Sequence, residues 1–450
     1  MNSLIQKLKD IWSIDELRKK IIYTFLLILV YRIGTFIVLP GIDPNQLSKL
    51  ASNSNSLFGL FNMFAGGAFS RASIFALGVM PYISASIVMQ LLTIAVPSFQ
   101  KLQKEGESGR KKINQWTRYL TVVVTAFQAS AYVQYLRQTL GESVLVSSPF
   151  LFWISTTIIL TGGTIFVMWL GEKITDRGLG NGTSLLIMSG IIATLPGSFL
   201  AEVQEKFKGI NGGPLMFLLE MAVLTAVVFV TIALIQAVRR VPVNYAKRMV
   251  VGKQYGGGRQ YIPLKVNIAG VMPIIFAQAM LFIPTTIAQV AGGGTELSST
   301  IQKLLDYNSL PYNILMFLMV VLFTFFYTAL IVNPTQMADD LKRNNGYIPS
   351  VKPGPDTAEY LDAILSKITF PGAIVLGLIA IMPSFARILG VNSQFAVFFG
   401  GTSLLIMVSV ILDTLQQVES YLLLKHYDGL TQSGTRIKGR VESSPVTIVQ

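Results

Sequence analysis

The residues that could do covalent chemistry are few. The 450-residue chain has no cysteine and one histidine, His426 near its C-terminal end, so thiolate nucleophiles, disulfides, cysteine or histidine metal clusters and a Ser-His-Asp triad all lack parts. There is no GxxxxGK[ST] phosphate loop, and GGGR at Gly256 to Arg259 reads as a loop turn, so no nucleotide site is legible. These features argue against an enzyme, and the sequence implies neither cofactor nor metal. What remains is a set of neutral polar side chains in otherwise apolar stretches, namely Ser84, Ser86, Gln90, Gln128 and Asn267, and a single cation, Arg32, within the first such stretch. Groups of this kind hydrogen-bond neighbouring helices in a membrane for about 1 kcal/mol or less each. They also suit a seam that opens at small desolvation cost.

The elements that must carry these groups are membrane spans. The chain is 52% hydrophobic and 13% charged, with mean hydropathy +0.56, a composition that does not fit a soluble surface. Apolar stretches of about the 20 residues a bilayer requires lie at 21–39, 74–96, 117–136, 151–171, 182–200, 215–238, 267–290, 311–332, 370–389 and 395–417, which predicts an all-α polytopic protein with ten spans. Residues 1–20 are amphipathic and run into the first span without a small-residue cleavage site, so no removable leader is expected. Of the 36 Lys and Arg, 28 fall in the two tails and alternate connections on one side; the other side holds Lys49, Arg71, Arg137, Lys206, Lys208, Lys303 and Arg387. That asymmetry places both termini in the cytoplasm. It accounts for most of the +13 net charge without DNA binding.

The chain repeats itself across its halves. Gly182-Thr183-Ser184-Leu185-Leu186-Ile187-Met188 recurs as Gly401-Thr402-Ser403-Leu404-Leu405-Ile406-Met407, and Gly78-Val79-Met80-Pro81 recurs as Gly270-Val271-Met272-Pro273. Each pair is five spans apart, so the copies are antiparallel and predict two inverted five-helix halves, 21–205 and 206–420, followed by a cytoplasmic tail, 421–450. Function in such folds usually sits between the halves at the midplane. The repeat pairs Ile83 with Ile275 and Ile187 with Ile406. Four branched apolar side chains meeting there would form a constriction that dewets and resists ions. Residues 56–73 (LFGLFNMFAGGAFSRAS within them) are too short and Gly-rich to span, and fit either an interfacial helix or a re-entrant segment filling a cavity. The scarcity of midplane carboxylates argues against the alternative of a proton-driven carrier or flippase.

Six stretches carry a family resemblance: FNMFAGGAFSRASIFALGVMPYISASIVMQLL (Phe61 to Leu92), KEGESGRKKINQWTRY (Lys104 to Tyr119), GEKITDRGLGNGTSLLI (Gly171 to Ile187), NYAKR (Asn244 to Arg248), PLKVNIAGVMPIIFA (Pro263 to Ala277) and FFGGTSLLIMVSVILDTLQQVES (Phe398 to Ser420). The chain resembles the SecY/Sec61-alpha family of channel subunits. The resemblance implies a central pore closed by a plug helix at about 57–72 that includes Leu57, Phe58, Leu60, Phe61, Phe64, Gly66 and Gly67. It implies a pore ring at Val79, Ile83, Thr183, Ile187, Ile275 and Ile406, and a lateral gate at Ser84, Gln90, Phe127, Gln128 and Asn267 through which membrane segments reach lipid. Connections 239–266 and 333–369 would then dock a motor or ribosome through Arg239, Arg240, Lys247, Arg248 and Lys352. Implied partners are SecE, SecG, the SecA ATPase, the ribosome, signal sequences, unfolded preproteins and anionic lipids, at the bacterial inner membrane. Thr183 and Lys352 depart from the aliphatic residue and the arginine common at those family positions, and lysine lacks the planar fork for bidentate binding.

Overall fold

The computed structural model describes residues 11–43, 62–140, 148–208, 213–245, 248–250, 253–255, 259–278, 280–281 and 309–433. The first half contains α1 (Asp15–Gly34), α2 (Met80–Ala95), α3 (Pro97–Lys104), α4 (Glu107–Leu140), α5 (Pro149–Arg177) and α6 (Gly182–Phe207). The second begins with α7 (Gly213–Gln236) and a β-ribbon of β1 (Val238–Tyr245), β2 (Arg248–Val250), β3 (Lys253–Tyr255) and β4 (Arg259–Lys265). A helical run at 272–278 follows, and then α8 (Leu310–Ile331), α9 (Pro334–Arg343), β5 (Gly346–Tyr347), α10 (Pro355–Ile388), α11 (Ser393–Ala396), a 3-10 turn at Val397–Phe399 and α12 (Gly401–Ser433).

Local chemistry starts these helices where the sequence allows. Proline occupies the first turn of α2, α3, α5, α8, α9 and α10, where its missing N–H has no helical partner to lose. Asn181, Ser309 and Asn333 cap α6, α8 and α9 with side-chain oxygens. Within the apolar helices, threonine hydroxyls bond back one turn, as in the ladder Thr117 to Ile113, Thr121 to Thr117 and Thr125 to Thr121 at 2.9, 2.7 and 2.6 Å. Polar side chains are thereby satisfied without another helix.

Six helices are long and apolar enough to cross a membrane among the described residues, and α2 with α3 makes a seventh as a bent pair. Each of the ten expected spans falls wholly or partly on helix, with α1 and α4 covering the first and third and the run at 272–278 lying in the seventh. Span two is shorter than its apolar stretch, because residues 74–79 turn before Met80 opens the helix. The connection read as a basic loop at 239–266 is folded: β1 pairs antiparallel with β4, Arg240 opposite Pro263, and with β5, Asn244 opposite Tyr347.

Repeated sequence takes repeated conformation. Gly78 and Gly270 both have left-handed backbone, φ +54° and +63°, immediately before their helices, a geometry open to glycine at little cost. Gly182 and Gly401 each open a helix, so Ile187 and Ile406 stand at equal depth along α6 and α12. Halves made this way meet along α6, which packs on α7, α11 and α12.

Candidate functional site

The re-entrant segment is held from three sides. Asn62 folds it on itself, its side-chain oxygen accepting from the Ser70 N–H at 2.8 Å and its carbonyl accepting from the Gly67 N–H at 2.7 Å. Helix α4 reaches it through Tyr132, whose hydroxyl donates to the Phe69 carbonyl at 2.7 Å. The end of α1 runs on as an extended strand, bridging Val38 to Ser73 and receiving the Ile74 N–H on the Ile37 carbonyl. Arg32, the cation of the first span, donates from Nη1 to the Gly66 carbonyl at 2.8 Å. The Arg71 and Arg32 guanidinium groups both lie over the Phe36 ring, 4.3 and 5.2 Å from its centroid, within cation–π range.

Close backbone approach seats the segment on α6. Gly66 has φ +64°, and a Cβ built there would lie 2.9 Å from the Gly190 Cα and 2.6 Å from Arg32 Nη1. A Cβ on Gly190 would lie 2.5 Å from the Phe64 carbonyl oxygen. Only a glycine pair permits this contact. It falls one turn beyond Ile187 on the same helix, so the segment stops directly against the level of the repeated isoleucines.

Five of the six residues expected in the ring come together. Val79, Ile187 and Ile406 are buried in one apolar cluster with Met63 and Phe64, and Ile83 and Ile275 pack partly buried against it. Thr183 stands one turn before Ile187 and turns its hydroxyl to the Asn181 side chain at 2.7 Å, so its polar atom is engaged at the helix cap. Of the residues expected in the plug, Phe64, Gly66 and Gly67 are described as above; Leu57, Phe58, Leu60 and Phe61 lie outside the described residues. The sequence had no pattern to flag Gly190, whereas Arg32 was conspicuous as the one charge in its span.

At the seam between α2 and the 272–278 run, the packed face is apolar. Ile87 is buried with Ala269, Ile274 and Ala277, and Ile83 and Leu91 pack on the same cluster. Ser84 and Gln90 of α2 and Gln128 of α4 are half-buried, and Phe127 is 75% exposed on α4. Asn267 Oδ1 is enclosed without a hydrogen-bond partner among the described residues, a polar atom left at the seam whose enclosure is costly.

The two basic connections form one unit. Val241, Val243 and Leu264 of the ribbon share a core with Leu341, Ile348, Leu361 and Leu365 of α9, the β5 turn and α10. Arg239 and Arg240 are exposed on β1, and Lys352 is exposed where its carbonyl accepts the Thr357 hydroxyl at 2.7 Å, ahead of α10. Arg248 lies in β2 opposite Tyr255, and Lys247 lies outside the described residues.

Two antiparallel helical halves, an apolar cluster between them and a segment of the chain seated against that cluster define a membrane channel stoppered from within. The SecY family model matches residues 73–415, and the chain belongs to the SecY family. Protein translocase subunit SecY of Streptomyces galbus is 44% identical over 426 residues, 92% of this chain and 97% of that protein. The Escherichia coli (strain K12) subunit of the same name is 42% identical over 420 residues, 92% and 94% of the two chains. The fold matches a solved protein-conducting channel with TM-score 0.61 at 16% identity, covering 93% of this chain and 95% of that one. It also matches Sec61 in the canine ribosome–channel complex with TM-score 0.55 at 15% identity and the same coverage. The chain is therefore a translocase channel subunit, and its part is conduction rather than catalysis.

Proposed function

We propose that Val79, Ile83, Ile187, Ile275 and Ile406, with Thr183 at the rim, form the ring that seals this channel, and that the segment including Phe64, Gly66 and Gly67 is its plug. The carrying observation is that residues from four separate helical segments converge on one apolar cluster that also holds Phe64. In this reading an unfolded preprotein passes through the ring, and branched aliphatic side chains close around it while excluding water and ions. Signal sequences enter at the seam of α2 and α4 against the 272–278 run and α8, wedging apart Ile87 and its partners and giving Asn267 a polar neighbour. Membrane segments leave by the same route.

The two halves are 21–205 and 206–420, joined along α6 and α7, in a bacterial inner membrane with both termini cytoplasmic. Arg239, Arg240, Lys247, Arg248 and Lys352 then face the cytoplasm on the ribbon–α9–α10 unit and dock SecA or a ribosome, which supplies the energy. SecE and SecG complete the channel, and anionic lipids surround it.

The ring is tested by single-channel recording in planar bilayers. Ile83→Gly and Ile275→Gly each remove a side chain from the constriction and should raise resting ion conductance several-fold over the wild type. Conductance equal to wild type, from protein that still transports preprotein, would overturn the ring assignment.

A further inference from the structure

The turn between α5 and α6, Gly178-Leu179-Gly180-Asn181, lies outside any element, and two other helices satisfy its backbone. The Leu179 N–H donates to Thr24 Oγ1 of α1 at 3.0 Å, and the Gly180 N–H donates to Gln417 Oε1 of α12 at 2.8 Å. The fit is close: a Cβ on Gly178 would lie 2.5 Å from Thr24 Oγ1, and one on Gly180, whose φ is +79°, 3.1 Å from Thr414 Cγ2. The two helices also touch each other directly. Lys20 Nζ donates to the Tyr421 hydroxyl and stands 4.5 Å from the centroid of its ring, within cation–π range. Lys20 and Thr24 are one turn apart on α1, and Thr414, Gln417 and Tyr421 follow one another by single turns along α12, so each helix presents one face to this junction.

The junction joins the halves. α1, the turn and α6 belong to the first half and α12 to the second, and the chain itself crosses between halves only at 209–212, from the far end of α6 to α7. That far end is fastened by side chains as well. Lys206 Nζ lies 2.7 Å from Glu220 Oε1 of α7 and donates to the Gly390 carbonyl at 3.0 Å, and Glu202 Oε2 accepts from the Asn392 N–H at 2.8 Å. α6 is 26 residues long, about 39 Å at 1.5 Å per residue, so the halves are fastened at both ends of a rod of that length. A single fastening at the outer end would leave the inner ends of the halves free to splay in any direction. The second restricts them to turning about the line between the two, which is hinge motion. The seam lies on other elements, since α6 packs on α1, α5, α7, α11 and α12, and α2 packs on α3, α4 and α5.

We propose that the 178–181 turn, pinned by Thr24 and Gln417 and backed by the Lys20–Tyr421 contact, is a cytoplasmic joint that stays made while the seam parts. Lys20, Thr24, Gln417 and Tyr421 are positioning residues that act through α1, α6 and α12, and two of these helices carry Ile187 and Ile406. The place of the joint in opening rests on the reading of the α2 seam as the gate.

The test uses the full chain with cysteine-free partner subunits in proteoliposomes, because the chain has no cysteine of its own. Lys20→Cys with Tyr421→Cys removes the contact and should slow preprotein transport several-fold, and bridging the pair with a short bis-maleimide should restore the wild-type rate. A pair that transports normally before bridging, that does not bridge in the resting channel, or that stops transporting once bridged overturns the joint. Gln417→Leu should also slow transport several-fold, whereas Gln417→Glu keeps an acceptor oxygen for the Gly180 N–H and should restore it. Transport by Gln417→Leu at the wild-type rate, or an equal loss in both variants, overturns the pin. A disulfide across the seam, from Ile87→Cys and Ala277→Cys, is the reference, and it should block transport where the bridge does not. If that disulfide fails to block, the gate reading falls, and the bridged pair still decides whether the joint stays made during transport.

Discussion

At the scale of single residues, Arg32 has two roles that compete. Its Nη1 bond to the Gly66 carbonyl and its place over Phe36 hold the segment proposed as the plug, while its charge lies near that of Arg71 over the same ring. A hydrogen bond to a charged donor is worth about 1.5–3 kcal/mol, and a cation–π contact adds about 0.5–1 kcal/mol. Repulsion between two half-buried guanidinium groups whose charges are delocalised and spread over an aromatic face is smaller, so attraction wins. Arg32→Met should therefore raise the resting open probability roughly tenfold or more, each 1.4 kcal/mol being a factor of ten. Single-channel recording reads this directly. Gly66→Ala should act in the same direction through a different cause: a left-handed alanine costs about 1–2 kcal/mol, and its Cβ meets Arg32 and Gly190 at 2.6 and 2.9 Å. If Gly66→Ala leaves the resting current unchanged, the Gly66–Gly190 contact does not hold the plug.

At the scale of elements, the seam proposed as the gate is a packed apolar stripe, Ile83, Ile87 and Leu91 of α2 against Ile274 and Ala277. The chain contains no cysteine, so a pair introduced at Ile87 and Ala277 has no background. Ile87→Cys with Ala277→Cys should oxidise to a disulfide that blocks preprotein transport and should recover on reduction; unimpeded transport by fully oxidised protein would refute gating at this seam. In the sequence, polar residues on a few spans suited a seam, whereas the packed face between α2 and the 272–278 run is aliphatic, and isoleucine in a span reads the same whether it faces lipid or protein. The cluster proposed as the ring was more legible. Its repeat pairs Ile83 with Ile275 and Ile187 with Ile406 in matched positions, and matched left-handed glycines at Gly78 and Gly270 give the two copies the same entry into helix. The β-ribbon was not legible, since Arg239, Arg240 and Lys265 interrupt the alternation of Val241, Val243 and Leu264 that marks a strand. Lys206, Glu202 and Glu220 were hidden for another reason: they are close only once α6 and α7 fold back on each other.

At the scale of the whole molecule, folding the two basic connections into one unit changes what docking must look like. Separate flexible loops would each adapt to a partner, whereas Val241, Val243, Leu264, Leu341 and Leu361 share a core, so Arg239, Arg240 and Lys352 are carried on one folded unit, Arg239 and Arg240 on opposite faces of β1. A fixed array loses little freedom on binding, and its selectivity then depends on where its charges lie. Against a ribosome the partner charges are phosphates, and each ion pair formed releases counterions, so log affinity falls with log salt in proportion to their number. Arg239→Glu with Arg240→Glu should lower ribosome affinity whatever sequence is being translated, and should reduce the salt slope by about 1 for each phosphate no longer bound. The resting conductance should not move, because the ring and plug are built from other elements. A double variant that keeps both its affinity and its slope would show that this end of β1 does not meet the ribosome; one that binds more weakly while its resting leak rises would show instead that the ribbon braces the closed channel, through the α10 helix whose first turns share its core.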